Sequence, residues 1–116
     1  MNSIELSILQ GEDFVSTITV KENSFPVDLT GSTFRGDAKE NLSDSRPSFS
    51  FAFDVLDQST NKGQFKMFLT NSDSSRIVMD YKEVKSFFFD VEWIRPDGIV
   101  KKILRGKCKV TAEVTK

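Results

Sequence analysis

The chain has 116 residues, the length of one domain, and its sixteen basic side chains nearly balance seventeen acidic ones, giving a net charge of -1. This balance excludes an overall field that would steer the protein onto nucleic acid or an anionic membrane. There is no His and only one Cys, which excludes His-based nucleophile arrangements, an intrachain disulfide and a cysteine cluster for zinc or iron. Val, Ile, Thr and aromatic residues occupy 38 positions against three Ala, a bias that predicts an all-β fold.

Alternation of apolar and polar residues, the pattern of half-buried strands, recurs along the chain. The predicted strands are residues 3–9, 13–21, 33–39, 48–55, 64–70, 86–94, 99–105 and 107–115. Residues 40–47 are polar and rich in helix- and strand-breaking residues, which indicates a loop, and residues 95–98 (Arg-Pro-Asp-Gly) are typical of a tight turn. About seven or eight short strands separated by turns predict a single antiparallel β-sandwich over residues 1–116.

Residues 71–84 follow a different pattern. Asn71 or Ser72 can cap a helix. The apolar residues that follow fall near helical spacing: Ile77, Val78, Tyr81 and Val84. We therefore predict a short helical crossover between two strands.

Most of the eleven Phe share strand faces with Ile, Val or Leu, and we assign them to the core. These are Phe14, Phe34, Phe49, Phe51, Phe53, Phe65, Phe87 and Phe89. Cys108 has the same parity as Val110 and Ala112, so we expect a buried thiol rather than a reactive one.

Three groups of segments resemble, in order, the small immunoglobulin-like domains of tailed-bacteriophage virions, such as the amino-terminal domain of baseplate upper proteins. The first is Gln-Gly-Glu-Asp-Phe at 10–14, and the second is Pro-Val-Asp-Leu-Thr-Gly-Ser-Thr-Phe-Arg-Gly at 26–36. The third comprises residues 89–93, 96–98, 104–107 and 110–115. The resemblance implies an immunoglobulin-like sandwich with a structural role in the tail, neck, baseplate or fibre attachment, made in the bacterial cytoplasm. It transfers no contact residues, because members of this group dock to different neighbours.

Two sets of residues are candidates for a partner interface. The first set is apolar and lies on strand faces opposite to the core: Phe68, Phe88, Ile94, Val100 and Leu104. A sheet that is apolar on both faces is covered either by its own chain or by a partner. The second set is a basic cluster that concentrates five positive charges in nine residues: Lys101, Lys102, Arg105, Lys107 and Lys109. This cluster could meet an acidic neighbour, or it could mark a solvated strand or a sheet edge protected by lysines; it lacks the interleaved aromatics of a nucleic-acid site.

No catalytic, cofactor or metal site is predicted. The carboxylates are scattered, and none of the loops has the dense spacing of a calcium site. Asp90 and Glu92 share a strand face, but we expect them to be balanced by cross-strand cations rather than to act in glycoside hydrolysis. The start lacks a basic segment followed by a long apolar run, so we expect no secretory signal, and no apolar run is long enough to span a membrane.

The expected function is therefore a non-enzymatic structural component of a phage virion, present in several copies and docked to other virion proteins through sheet faces or edges. A capsid decoration protein is one alternative, ranked lower on the resemblance alone. A carbohydrate-binding module for host-surface glycans is the other. Trp93 has core parity, so that module would have to use Tyr81 or Phe88 as its aromatic platform.

Overall fold

The structure is a computed structural model that describes residues 2–115. Its elements in chain order are β1 (Asn2–Leu9), β2 (Phe14–Thr19), β3 (Lys21–Glu22), β4 (Phe25–Pro26), β5 (Thr33–Lys39), β6 (Phe49–Ser50), β7 (Ala52–Val55), β8 (Gln64–Leu69), α1 (Asn71–Ser75), β9 (Val84–Ile94) and β10 (Val100–Thr111).

Two sheets enclose one core, which confirms the predicted all-β sandwich. The larger sheet has the order β1-β10-β9-β5-β6, the smaller has the order β2-β8-β7, and β3 and β4 form a separate hairpin. All pairs are antiparallel except β1 with β10, which run parallel from Asn2 opposite Leu104 to Leu9 opposite Thr111. The larger sheet is therefore mixed, because its first strand is added beside the last one rather than beside its neighbour in sequence.

The core lies between the inner faces of the two sheets and is filled as the alternation predicts. Phe51, Phe65, Phe87 and Phe89 are buried, and the other four predicted core Phe pack against this cluster while partly exposed. The ring of Phe65 stacks on that of Phe34 with centroids 3.9 Å apart. These aromatic side chains share the core with aliphatic residues from both sheets, such as Ile8, Leu69 and Val91, and burial of this apolar surface stabilises the domain.

The predicted strand 48–55 is divided between the two sheets. Phe49–Ser50 pairs with β5 in the larger sheet, and Ala52–Val55 pairs with β8 in the smaller one. Phe51 lies at the crossing, where its N–H donates to the carbonyl of Gly36 at 2.9 Å. Alternation does not reveal this break, because both parts of the segment turn the same side towards the core.

The predicted strands 99–105 and 107–115 are one strand, β10, with an irregularity inside it. The register shifts between Lys102, opposite Glu92, and Leu104, opposite Val91. The extra residue reverses the parity, as a β-bulge does, so that Leu104 joins the inner face and is only 6% exposed. The prediction that Leu104 faces a partner is therefore wrong.

The predicted short helical crossover is confirmed as α1, and its N-cap, Thr70, lies one residue before the predicted Asn71. The Thr70 hydroxyl accepts the N–H of Asp73, whose carboxylate accepts the Thr70 N–H, and this capping box starts α1. The helix ends at Ser75, so the residues at 77–84 that have helical spacing are not helical. Among residues 2–115, no helix is long and apolar enough to cross a membrane.

Candidate functional site

The outer face of the larger sheet is a ladder of cross-strand rows rather than a continuous apolar surface. Register places Arg35, Glu92 and Lys102 in one row, and Asp37, Asp90 and Arg105 in the next. The third row consists of Lys39, Phe88 and Lys107. The predicted second apolar face is thus reduced, at the centre of the sheet, to the single ring of Phe88.

The first two rows neutralise part of their own charge. Arg35 Nε donates to Glu92 Oε1 at 2.6 Å, and Lys102 Nζ lies 2.9 Å from Asp90 Oδ2 and 3.2 Å from Glu92 Oε2. The hydrogen bond from Arg35, aided by Lys102, outweighs burial and holds the pKa of Glu92 below its usual value. A general acid for glycoside hydrolysis requires a raised pKa, whereas the pKa of Glu92 is lowered, as expected for a carboxylate held in a ladder of ion pairs.

A shallow groove of about 530 Å³ crosses this face and is here called the Phe88 groove. Its charged lining comprises the cations Lys39, Lys102, Arg105 and Lys107 and the carboxylates Asp37, Asp90 and Glu92. Leu42 projects from the loop after β5 and is 73% exposed, and Phe88 is 37% exposed. The groove therefore combines accessible apolar surface with charged side chains of which more are basic than acidic.

Three of the basic residues in the groove have no carboxylate partner. Among the ion pairs formed by residues 2–115, none includes Lys39, Arg105 or Lys107. The Lys107 ammonium instead lies 5.5 Å from the centre of the Phe88 ring, a cation–π contact, and Glu5 is its cross-strand neighbour on β1. The groove can thus receive negative charge without first breaking an internal ion pair.

Only some residues of the basic cluster form ion pairs with carboxylates in the structure. Lys101 lies 3.6 Å from Glu22, and Lys102 is held by the ladder, whereas Lys109 forms no ion pair in the part of the chain described. β10 lies between β1 and β9, so the alternative that these lysines protect a sheet edge is wrong. Arg105, Lys107 and Lys109 remain as a row of exposed cations along an interior strand.

The other apolar candidates lie away from the Phe88 groove. Phe68 is on the smaller sheet, between Val15 and Ala52, and is partly buried. Ile94 and Val100 face each other at the end of the larger sheet, where Ile94 is partly buried and Val100 is 44% exposed. The sequence candidates therefore do not form a single surface.

A feature that the sequence did not indicate is the turn over residues 79–82, here called the Tyr81 turn. The Lys82 N–H donates to the Met79 carbonyl at 2.9 Å, and the two central residues, Asp80 and Tyr81, have φ of 53° and 63°. These positive values at both central positions are those of a type I′ turn, which favours Asn and Gly. Tyr81 is nevertheless fully exposed.

The buried side chain of Lys85 binds this turn from the core side. Its side chain is only 5% exposed, and its Nζ donates to the Val78 carbonyl at 3.0 Å and to the Asp80 carboxylate, with Glu40 Oε2 at 3.3 Å. Burial lowers the pKa of Lys85, but hydrogen bonds to Asp80 and Glu40 outweigh it and raise the pKa above its usual value. The same ammonium lowers the pKa of Asp80. Lys85 has the same strand parity as Phe87, and this was the available signal that it points inward.

Nothing in residues 2–115 brings together three or more acidic or Cys side chains that could hold a metal ion. Burial raises the pKa of the Cys108 thiol to about 12, and Trp93 is buried with its indole N–H on Ser32 Oγ at 3.0 Å. Of the rings considered for a sugar platform, Phe88 lies under Lys107 and Tyr81 is open on its turn. No protein-family model matches the chain, and no curated protein matches it in sequence.

Proposed function

We propose that this protein is a non-enzymatic structural module of a tailed-phage virion, placed in the tail, neck, baseplate or fibre attachment. It docks to neighbouring chains through the Phe88 groove. The family resemblance of the sequence supports the virion setting, and the groove supports the docking role. The partner surface has stated chemistry: an exposed protein segment that places one or more carboxylates beside an apolar side chain.

The observation that carries the proposal is the group of unpaired cations around an accessible ring. Lys39, Arg105 and Lys107 line the groove beside Phe88 and form no ion pair with any residue in 2–115, while Lys102 in the same groove is already paired with Asp90 and Glu92. An acidic segment gains charge-assisted hydrogen bonds to these groups, and its apolar side chain covers Phe88 and Leu42. The cations set orientation and encounter rate, and the buried ring supplies the central contact.

Charge reversal in the groove tests this role. In the phage that encodes the protein, we compare the wild type with Arg105→Glu/Lys107→Glu and count the protein in purified particles by quantitative mass spectrometry. The matched control, Lys21→Glu/Lys62→Glu, makes the same charge change at exposed lysines outside the groove.

We expect wild type and control to be present in particles, and the groove variant to be depleted at least tenfold. Circular dichroism of the three purified proteins establishes that all are folded. A wild-type protein absent from particles would refute the virion role, and a folded groove variant present at the wild-type level would refute docking through the groove.

A further inference from the structure

The Tyr81 turn is built to present an aromatic ring rather than to fill the core. Bulky side chains rarely take positive φ, yet Tyr81 does so at 63° while its side chain is fully exposed. The fold therefore gains no packing from the ring in exchange for the backbone strain. Strain of this kind persists where the surroundings hold it in place, and it marks functional positions.

The turn is also held by hydrogen bonds within the subunit. Lys85 binds both the Val78 carbonyl and the Asp80 carboxylate, and the Met79–Lys82 hydrogen bond closes the loop. A side chain presented on such a turn loses little conformational freedom on binding. Tyr is among the residues that most often dominate a protein interface, since it offers a large ring with a polar tip.

The same chain contains a matching receptor. The Phe88 groove offers an aromatic ring for edge or offset stacking and unpaired ammonium and guanidinium groups for contact with a ring face. The turn offers the Tyr81 ring, the exposed side chain of Val78 and, in the next two residues, the ammonium of Lys82 and the carboxylate of Glu83. Around the turn the three carboxylates of Glu40, Asp80 and Glu83 outnumber the ammonium groups of Lys82 and Lys85. An aromatic element with an excess of acidic groups is thus matched by an aromatic groove with an excess of basic ones.

We propose that the Tyr81 turn of one copy inserts into the Phe88 groove of a second copy, and that the two copies do so reciprocally about a two-fold axis. This inference rests on the docking role proposed for the groove and names the chain itself as one of its partners. In the virion it supplies the contact between adjacent copies.

The placement of the two elements supports reciprocity. Glu40, which contacts the Lys85 ammonium beneath the turn, directly follows Lys39 at the rim of the groove. The turn and the groove therefore adjoin within one subunit, and a two-fold rotation can bring each turn to the other groove at once. Direct groove-to-groove packing is disfavoured, because it would oppose the unpaired cations.

Sedimentation velocity over a concentration series tests the dimer. Tyr81→Asn removes the ring while keeping a residue that accepts positive φ, so the turn is retained. Arg105→Glu/Lys107→Glu alters the groove. The matched control is Phe25→Asn, because Phe25 is 73% exposed beside the other positive-φ turn, at Asn23 and Ser24.

We expect wild type and Phe25→Asn to dimerise alike, and both Tyr81→Asn and the groove variant to weaken dimerisation by about 30-fold or more. Mixing the latter two variants restores a heterodimer, since one intact turn then meets one intact groove. A mutant pair that fails to associate when mixed contradicts the insertion, as does a wild type that stays monomeric up to about 1 mM.

The outcome is separable from that of the proposed function. A monomeric wild type that is nevertheless present in particles, and is lost on groove reversal, overturns self-association alone. Dimers that survive Tyr81→Asn overturn the role of the turn even if the protein is a virion component.

Discussion

The buried ammonium of Lys85 is the group on which the geometry of the Tyr81 turn depends, and Lys85→Met is the substitution that isolates it. Met keeps an unbranched apolar stem of similar reach, so the core beside Phe87 stays filled. What disappears is the donor to the Val78 carbonyl at 3.0 Å and the charge that holds Asp80 and Glu40.

The expected loss of unfolding free energy depends on how deeply Lys85 and its two carboxylate partners, Asp80 and Glu40, are buried. Breaking a fully buried ion pair costs roughly 3–5 kcal/mol, whereas an exposed pair contributes about 1 kcal/mol or less. Lys85 is 5% exposed, but the Asp80 and Glu40 side chains are 54% and 38% exposed, so water can solvate the carboxylates that remain. We expect Lys85→Met to lower the free energy of unfolding by about 2 kcal/mol, between these two limits.

Urea unfolding followed by tryptophan fluorescence measures this difference, because Trp93 is the only Trp and is 3% exposed. The pH dependence has a defined sign. The folded-state pKa of Asp80 lies below 3.8, so its contribution is present above about pH 4 and is lost as the pH falls. The pKa of Lys85 lies above 10.5, so its contribution is present below that pH and is lost as the pH rises through the folded-state value.

The stability gap between wild type and Lys85→Met should therefore be constant from about pH 5 to 9 and narrow outside that window. Lys82→Met is the control, since Lys82 is an exposed lysine of the same turn with no ion pair among the described residues. A gap below about 0.5 kcal/mol at pH 7, or one that stays the same at pH 3, would refute the reasoning.

Two further outcomes are expected. Gly106→Ala should lower the free energy of unfolding by about 3 kcal/mol, because a Cβ there would overlap the Ile4 carbonyl oxygen and force β1 away from β10. Gly98→Ala has open space and should lower it by only about 1 kcal/mol, through backbone strain at positive φ. Equal losses for the two variants in urea unfolding would contradict this. Cys108 is 0% exposed and its thiol pKa is about 12, so Ellman's reagent at pH 8 should react only in denaturant, and immediate reaction of the native protein would show that the thiol is accessible.

Local alternation predicted most of the core because the side-chain period of a strand is set by neighbouring residues. The inner face of β9 is an example: Phe87, Phe89 and Val91 are all buried as expected. The same rule applied one step earlier places Lys85 inward as well. The prediction omitted it because the predicted strand began at residue 86, and because the partners that allow a lysine to be buried lie in two separate loops.

The misassigned residues have a non-local cause. Leu104 changes face because one extra residue, in the stretch between Lys102 and Leu104, is accommodated as β10 pairs with β9. An adjacent apolar pair at Ile103 and Leu104 was the only local sign of that bulge. The parallel addition of β1 to β10 joins the two ends of the chain and leaves no signature in either segment alone.

Only part of the candidate site could be predicted from the sequence, because the rest depends on pairing between strands that are distant in the chain. Basic residues 105–109 could be counted, but whether each had a carboxylate neighbour depended on cross-strand register. Register places Arg105 opposite Asp90, yet the Asp90 carboxylate binds the Lys102 ammonium diagonally, and neither Arg105 nor Lys107 forms an ion pair within residues 2–115. Charge density in a sequence therefore predicts a basic strand, whereas an available cation is a property of the sheet.

Two turns contain consecutive non-glycine residues with positive φ, and only one of them has a structural reason for that geometry. The turn at Asn23 and Ser24 joins β3 to β4, where a type I′ geometry matches the twist of the hairpin it closes. The Tyr81 turn joins no such pair of strands, so strand twist gives no reason for its geometry. It combines a strained Tyr with a buried lysine. Lys85 is accounted for within the subunit, because the Val78 carbonyl, Asp80 and Glu40 all bind its ammonium. The packing of one subunit gives no such reason for the strained and fully exposed Tyr81, so the ring of Tyr81, and not Lys85, is the part of the turn that the proposed contact with a second copy would explain.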